Sequence, residues 1–263
     1  MPSPAHGLRP KKALGQNFLV NRGAVARILE AALACPAQAL LEIGPGPGAL
    51  TAGLVADGRP LTALDLDPEA VDLLRERHRG AGHAAFVLGD AVTAPLPSGR
   101  DLVVVGNLPY NAATAILTRL LVENVPWRRM VLMFQLEVGQ KILGVPGTKA
   151  YGPLSVLAQA CSRPSRLLKL GPGSFEPAPK VDSIVLLFEP HPDPLPLAER
   201  AGFLDFLHRS FAHRRKTLLN NWQGLVGPEE GRARLAAHGL EAAVRPEAVS
   251  VDQWRSLWKA RPC

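Results

Sequence analysis

The sequence is poor in the residues that build disulfide frameworks and metal sites. Only three of the 263 residues are cysteine, and Cys35, Cys161 and Cys263 lie far apart. There is no CxxC pair, and the seven histidines show no ligand spacing. This pattern argues against a disulfide framework and against a zinc site, so we expect no bound metal.

Long apolar runs are also missing. No stretch is long enough to cross a bilayer, and the proline- and lysine-rich N-terminal region lacks the apolar segment of a signal peptide. We therefore expect a cytoplasmic protein that does not associate with membranes. Internal repeats and low-complexity tracts are absent too. A hydrophobic content of 47% is enough for a full core, and the length suits one large domain with a smaller one.

Acidic residues are outnumbered by basic ones. The chain has 30 Lys and Arg against 23 Asp and Glu, which gives a formal net charge of +7 and a pI near 9.7. This balance suits a polyanionic partner such as nucleic acid, although many basic proteins bind none.

A glycine-rich turn is the first motif with a chemical meaning. Residues 39–43 form an apolar run of strand length, alternating glycines begin at Gly44, and residues 49–56 suit a helix. Such a turn lets backbone N–H groups approach a ligand closely. Asp65 ends a second apolar run about 20 residues later, where a carboxylate can accept ribose hydroxyls. The pattern fits a dinucleotide as well as S-adenosylmethionine, so it predicts a nucleotide-like cofactor without choosing between them.

Strands and helices alternate as far as residue 189, which predicts an α/β fold with a doubly wound, mostly parallel sheet. The predicted strands are 39–43, 61–65, 84–88, 101–105, 130–135, 163–170 and 181–188. No helix separates the last two, so we expect the last strand to run in the reverse direction at one side of the sheet.

The composition changes after this sheet. Four of the eight residues from 189 to 196 are proline, which is typical of a linker. Beyond it the pattern is helical. We predict a basic N-terminal arm at 1–20, a Rossmann-like domain at 21–189, the linker at 190–196 and a small all-helical domain at 197–263.

The end of the third predicted strand carries a polar group. Asp90 follows the third predicted strand, where it can accept a hydrogen bond from an amino group such as that of adenine. It is also a common kind of turn residue. On its own, Asp90 does not decide between these two interpretations.

The most informative stretch is residues 107–111, Asn-Leu-Pro-Tyr-Asn, after the fourth strand. Pro109 keeps the local backbone extended, so the Asn107 side-chain oxygen and the Leu108 carbonyl can point at one target. Tyr110 offers a flat face to a planar ring. Two neutral acceptors beside an aromatic ring suit an aromatic amine that attacks a methyl group. An ordinary Asn-Pro turn is the alternative.

With these motifs the chain resembles the ribosomal RNA adenine N6,N6-dimethyltransferases, in particular those that dimethylate two adjacent adenines near the 3′ end of small-subunit RNA. Seven segments match in order and nearly from end to end. They are 14–19, 42–51, 89–91, 107–111, 151–156, 175–183 and 211–218. The resemblance implies a class I methyltransferase sheet and S-adenosylmethionine as the cofactor.

The resemblance also implies a set of site residues. Asn107, the Leu108 carbonyl and Tyr110 would hold the target adenine, and Phe175, on an exposed proline-rich loop, would cover its other face. The residues implied to contact S-adenosylmethionine are Asn17, Leu19, Gly44, Gly46, Asp65, Asp90, Ala91 and Asn107.

Three positions depart from the family pattern. Asp65 stands where Glu is usual, Leu136 where Lys is common, and His213 where Gln is frequent. The shorter carboxylate of Asp65 can still bind ribose hydroxyls, whereas Leu136 removes a possible charged contact.

Basic residues after the linker suit contacts with RNA phosphates. We expect ribosomal RNA or an assembled small subunit as the partner of a monomeric enzyme, although runs of charge are often only solvated surface. The predicted RNA-binding residues are Arg209, Arg214, Arg215 and Lys216, with Lys11 and Lys12 of the arm.

Three alternatives remain. A large-subunit adenine methylase of the macrolide-resistance type would use the same chemistry, but residues 211–218 favour the small-subunit enzymes. A nicotinamide-dependent oxidoreductase would explain Gly44 and Asp65 but leaves residues 107–110 without a role. A non-catalytic RNA-binding or assembly factor would not need the complete motif at 107–110.

Overall fold

A computed structural model describes residues 7–260 and divides the chain into two compact units. The first comprises residues up to Gly139 together with Ser165–Glu189, and the second comprises Gln140–Pro164 together with the chain from Pro190 onward. Segment 140–164 therefore groups with the C-terminal helices and not with the rest of the predicted domain 21–189. The reason is that its helix packs against two C-terminal helices. The first part of the predicted arm, residues 1–6, lies outside the described residues, as does Cys263.

The described strands form two sheets. The strands are β1 (Phe18–Leu19), β2 (Ala39–Ile43), β3 (Leu61–Asp65), β4 (Ala84–Leu88), β5 (Leu102–Asn107), β6 (Trp127–Gln135), β7 (Ser162–Leu170), β8 (Phe175–Glu176) and β9 (Ser183–Pro190). β1 and β8 form a small antiparallel pair, and the other seven form the large sheet in the order β4-β3-β2-β5-β6-β9-β7.

The large sheet has the arrangement that the sequence predicts. β2, β3, β4, β5 and β6 all run parallel to one another, whereas β9 pairs with β6 in the antiparallel direction. The prediction of a reversed last strand is therefore confirmed, but β9 lies between β6 and β7, so β7 and not β9 is the edge strand on this side. The chain winds outward in both directions from β2 and β5, so the carboxyl ends of these two strands form a topological switch point, where open α/β sheets bind ligands.

Ten α-helices accompany the strands in the described residues. They are α1 (Arg22–Leu33), α2 (Thr51–Ala56), α3 (Pro68–Arg77), α4 (Ala113–Val122), α5 (Leu136–Ile142), α6 (Pro153–Cys161), α7 (Leu197–Ser210), α8 (Leu218–Asn221), α9 (Pro228–Ala237) and α10 (Val251–Lys259). Short 3-10 turns occur at Lys12–Leu14, Pro172–Ser174 and Pro246–Ala248.

Helices cover the sheet of the first unit. The Asn21 side chain caps α1 by accepting the Ala24 N–H at 3.0 Å. α1 packs on β5 and β6 through its apolar face, on which Ile28 and Ala32 are buried, while α3 packs on β3 and β4. Every residue of β2 is buried, as expected for a central parallel strand.

The second unit is built around aromatic side chains. Phe206 packs against Trp222, Trp254 and Trp258 with ring centroids 5.8–5.9 Å apart, and Phe211 lies 5.3 Å from Trp254. α6 packs on α7 and α10 in the same unit. These contacts give the second unit a hydrophobic core of its own.

The proline-rich segment 190–196 is packed within the second unit. Leu195 is fully buried and donates its N–H to the Ala160 carbonyl at 2.9 Å. Arg255 donates to both the carbonyl and the carboxylate of Asp193, at 2.8 and 2.7 Å. The prolines therefore form an ordered connection.

None of the helices between residues 7 and 260 combines the length and the apolar character needed to cross a membrane. Both cysteines of this range, Cys35 and Cys161, are buried and free.

Candidate active site

A pocket lies in the first unit, at the carboxyl ends of β2, β3, β4 and β5. It contains every residue that the resemblance assigned to S-adenosylmethionine, as well as Asn107, Leu108 and Tyr110. The stretches that line it are 13–19, 42–47, 49–50, 64–66, 89–92 and 107–112, with Ile116 of α4. Predicted site residues from five separate stretches of sequence, around 17–19, 44–46, 65, 90–91 and 107–110, therefore meet in one place, whereas Phe175 does not line the pocket.

The glycine turn after β2 lies against the end of β5. Gly44 and Gly46 have φ angles of +67° and +53°, which are rare for residues with a side chain. A Cβ atom on Gly44 would lie 3.2 Å from the Asn107 carbonyl oxygen, and one on Gly46 would lie 3.2 Å from the Phe18 ring. Glycine suits both positions because both φ angles are positive and because a side chain would crowd the Asn107 carbonyl or the Phe18 ring.

Asp65, at the end of β3, is almost fully buried and holds the glycine turn. One carboxylate oxygen accepts the Gly46 N–H and the other accepts the Asp67 N–H, both at 2.9 Å. Burial raises the pKa of Asp65 above its usual value, although these backbone bonds oppose the rise. The shorter side chain at this position thus contacts the turn directly.

Glu42 is a pocket residue to which the sequence assigned no role. It is 2% exposed in the middle of β2, and its carboxylate accepts a 2.7 Å hydrogen bond from the Thr51 hydroxyl of α2. Burial raises its pKa to about 8, and the nearby charge of Asp65 adds to the rise. A single acid within the apolar run 39–43 was the signal that could have identified it.

The turn after β5 is held from two sides. The Asn107 side-chain amide donates to the Asn17 carbonyl at 2.9 Å, which leaves its oxygen for another donor. The Tyr110 hydroxyl lies 2.7 Å from the Ser183 hydroxyl. The Leu108 side chain is buried, and this residue also lines the pocket.

Phe175 is not where the sequence led us to expect it. Its strand, β8, pairs with β1 so that Phe175 lies opposite Leu19. The ring is only 4% exposed and belongs to the core cluster that contains Leu19 and Val185. It is absent from the pocket lining. The expectation of an exposed ring was wrong because the two-residue pairing turns Phe175 into the core.

Lys11 also differs from its predicted environment. Its ammonium group lies 2.7 Å from the Asp67 carboxylate and 2.9 Å from that of Glu69. Gln16 donates to the same buried Asp67 at 2.9 Å. Lys11 therefore fastens residues 11–16 to the start of α3, an ion pair that the sequence did not predict, and its role as an RNA contact stays a prediction. Lys12 is exposed.

The basic residues at the end of α7 and just after it lie at the surface of the second unit. Arg209 pairs with Asp205 at 2.8 Å, and Arg214 donates to the Tyr151 carbonyl at 2.8 Å. Arg215 and Lys216 are exposed in the turn that follows. Within residues 7–260, no group of three His, Cys, Asp or Glu side chains is placed to hold a metal ion.

The sheet order, its reversed last strand and the pocket at the switch point define a Rossmann-like class I methyltransferase fold. A crystal structure of the 23S rRNA methyltransferase ErmE is similar, with a TM-score of 0.71 and 28% identity, and covers 92% of this chain and 98% of its own. A dimethyladenosine transferase from Plasmodium falciparum shares the fold, with a TM-score of 0.77 and 23% identity over 91% of this chain and 95% of its own.

Sequence comparison gives the family. Residues 7–260 match the family described as ribosomal RNA adenine dimethylase, and the chain belongs to this family. A relative from Geobacter sulfurreducens, named Ribosomal RNA small subunit methyltransferase A, is 41% identical over 96% of this chain and 95% of its own length. A relative of the same name from Pseudomonas putida is 37% identical over 92% of this chain and 91% of its own length.

These matches confirm the resemblance seen in the sequence. The chain is an enzyme of a family that methylates ribosomal RNA, so the nicotinamide-dependent oxidoreductase is no longer a candidate. The roles of individual residues follow from the geometry of the pocket and are considered below.

We predict that Asp67→Asn loosens the N-terminal segment. Asparagine can still cap α3, but it loses the charge that holds Lys11, and it cannot accept from Lys11 and Gln16 equally well. Trypsin should cleave after Lys11 and Lys12 several-fold faster than in the unaltered protein. Glu69→Gln is the control, because exposed Glu69 contacts Lys11 alone and should change the rate little. Equal cleavage of both variants would contradict this assignment.

We also predict a pH-dependent stability that comes partly from Glu42. Its pKa rises on folding from 4.5 to about 8, so the folded state keeps a proton that the unfolded state loses. Stability should therefore fall as pH rises through this window, by at most about 1.4 kcal/mol per pH unit for one group. Glu42→Gln should weaken this fall in urea unfolding at pH 5, 6.5 and 8, leaving the part due to Asp65. Parallel pH curves for the two proteins would refute the role of Glu42.

Proposed function

We propose that this enzyme transfers methyl groups from S-adenosylmethionine to the N6 amines of two adjacent adenosines near the 3′ end of small-subunit ribosomal RNA. It would act in the cytoplasm, as a monomer, during assembly of the small subunit. The observation that carries the proposal is the meeting of Asp65, Asp90, Asn107 and Tyr110 in one pocket at the switch point.

The pocket suits S-adenosylmethionine better than a dinucleotide. Asp65 would accept the ribose hydroxyls, and Asp90 would accept the amino group of the adenine. Leu66, which is 52% exposed and lines the pocket, offers an apolar surface for that ring. Glu42 and Asp65 are buried acids next to the glycine turn. A positively charged ligand would favour the ionised form of both acids, whereas a pyrophosphate would oppose their ionisation.

The end of β5 suits the target amine. The Asn107 amide is oriented by the Asn17 carbonyl, so its oxygen can accept one amine hydrogen while the Leu108 carbonyl accepts another. When bound, S-adenosylmethionine supplies an electrophilic methyl group. The two oxygens favour the pyramidal nitrogen that attacks it and need no strong base, because the amine becomes acidic only after alkylation.

Tyr110 would stack on the adenine after the base leaves the RNA stack. Burial raises the pKa of its phenol, so the ring stays neutral near pH 7. The second aromatic wall that the sequence suggested is not part of this proposal, since Phe175 lies in the core. Tyr110 is therefore the stacking residue that we assign.

Two comparisons favour small-subunit RNA over large-subunit RNA. The relatives named for the small subunit reach 41% identity over nearly the whole chain, whereas ErmE, named for 23S rRNA, is 28% identical. The exposed basic residues of the second unit, Arg215 and Lys216 with Arg209 and Arg214, would contact phosphates around the target.

We predict that Asn107→Ala lowers methyl transfer by about 100-fold or more, a typical cost of removing one preorganised hydrogen-bond group. Binding of S-adenosylmethionine should weaken but remain measurable. The assay uses labelled S-adenosylmethionine with unmethylated small subunits, large subunits or naked RNA, and identifies the labelled nucleotide. Gln140→Ala, which truncates an exposed amide on α5, is the control and should keep the native rate. Label on large-subunit RNA, or native activity of Asn107→Ala, would disprove the proposal.

A second prediction concerns the basic residues. Arg215→Gln with Lys216→Gln should weaken RNA binding and flatten its salt dependence, by about 0.7–0.9 in log–log slope for each lost phosphate contact. Arg232→Gln, an exposed arginine on α9, is the matched control. If the control and the double variant give the same slope as the unaltered protein, residues 215 and 216 lie outside the interface.

A further inference from the structure

We propose that Ser183 is a positioning residue, whose hydroxyl group holds the Tyr110 ring at the angle that the target base requires. This inference rests on the proposed function, in which Tyr110 stacks on the adenine. It adds Ser183, at the start of β9, to the residues that form the base site.

The contact joins two distant parts of the chain. Tyr110 belongs to the turn after β5, and Ser183 is the first residue of β9. β6 lies between these two strands in the sheet. The two hydroxyl oxygens are 2.7 Å apart, the usual length of a hydrogen bond between hydroxyl groups. The hydrogen bond therefore joins the turn after β5 to β9, which is separated from β5 by β6.

Ser183 is itself rigidly placed. It is fully buried and lies opposite Gln135 in the β6–β9 pairing. The preceding residue, Asp182, accepts the Leu136 N–H at 2.9 Å and pairs with Lys169 at 2.8 Å. Ser183 therefore cannot move toward a misplaced ring, and the ring must take the position that Ser183 sets.

The consequence is a fixed ring in a half-buried position. A tyrosine side chain rotates about two bonds. A hydrogen bond at its far end fixes the direction of the ring axis, and because a phenol O–H prefers the plane of the ring, it also favours one orientation of the ring about that axis. Stacking orients the base, and the base orients its amine between Asn107 and Leu108. Small errors are costly here, because misplacing reacting groups by about 1 Å can slow a reaction by about 100-fold.

The test is a double-mutant cycle with Ser183→Ala and Tyr110→Phe, two variants that remove the same hydrogen bond from opposite ends. Each should lower kcat for methyl transfer to small subunits by about tenfold, with the Kd for S-adenosylmethionine unchanged. The double variant should be no slower than the slower single variant, because the bond is lost only once. Ser183→Thr, which keeps the hydroxyl, should recover most of the rate.

Other outcomes separate this inference from the proposed function. If Ser183→Ala, Tyr110→Phe and Tyr110→Ala are all fully active, Tyr110 does not hold the base and the assignment of the base site fails. If Tyr110→Ala is impaired but Ser183→Ala is not, only the positioning role is overturned. Additive losses in the double variant would likewise overturn it, since Ser183 would then act independently of Tyr110. Tyr110→Phe keeps these outcomes accessible if the buried Ser183→Ala variant folds poorly.

Discussion

The pocket depends on the close approach between the glycine turn after β2 and the carboxyl end of β5. Only 3.2 Å would separate a side chain at Gly44 from the Asn107 carbonyl, so the two strand ends form one continuous surface. This approach occurs where the strand order reverses, and it places the turn that suits a cofactor beside the turn that suits an amine. Methyl transfer requires donor and acceptor to share one site, and this geometry provides it.

Charge then determines which nucleotide-like ligand suits the turn. The glycine spacing fits a pyrophosphate as well as S-adenosylmethionine, and it left the choice open. In the proposed function Glu42 and Asp65 favour S-adenosylmethionine, because both acids are buried beside the turn and neither pairs with a cation among its hydrogen bonds. Burial raises the pKa of both, and a positively charged ligand would relieve that cost.

Much of this fold can be predicted from sequence because its strands are short apolar runs separated by helices. The ranges 39–43, 61–65 and 84–88 agree with β2, β3 and β4 at both ends. Local pattern is sufficient for β2 and β3, since parallel strands inside a sheet are buried on both faces. β4 lies at the edge of the sheet and is mostly exposed, but it keeps the same apolar run. The same reasoning located Gly44, Asp90 and Asn107, which all lie at or just after the carboxyl ends of strands and therefore meet at one edge of the sheet.

The failures involve partners that are distant in sequence. Phe175 was expected to be exposed because proline-rich loops usually are, but pairing with Leu19 buries it. The ion pair between Lys11 and Asp67, which are 56 residues apart, was not predicted either. Segment 140–164 groups with the C-terminal helices through the packing of α6 on α7 and α10. None of these contacts leaves a local pattern in the sequence.

The same long-range contacts explain how a turn can be stiff enough for catalysis. Residues 107–110 have little regular structure of their own, but their two important side chains are fixed from opposite sides. Asn17 of the N-terminal segment holds the Asn107 amide, and Ser183 of β9 holds the Tyr110 hydroxyl. Asn17 belongs to the segment that Lys11 and Gln16 fasten to Asp67. The parallel sheet thus brings the site together, and the segments added at its two ends fix the angles on which the chemistry depends.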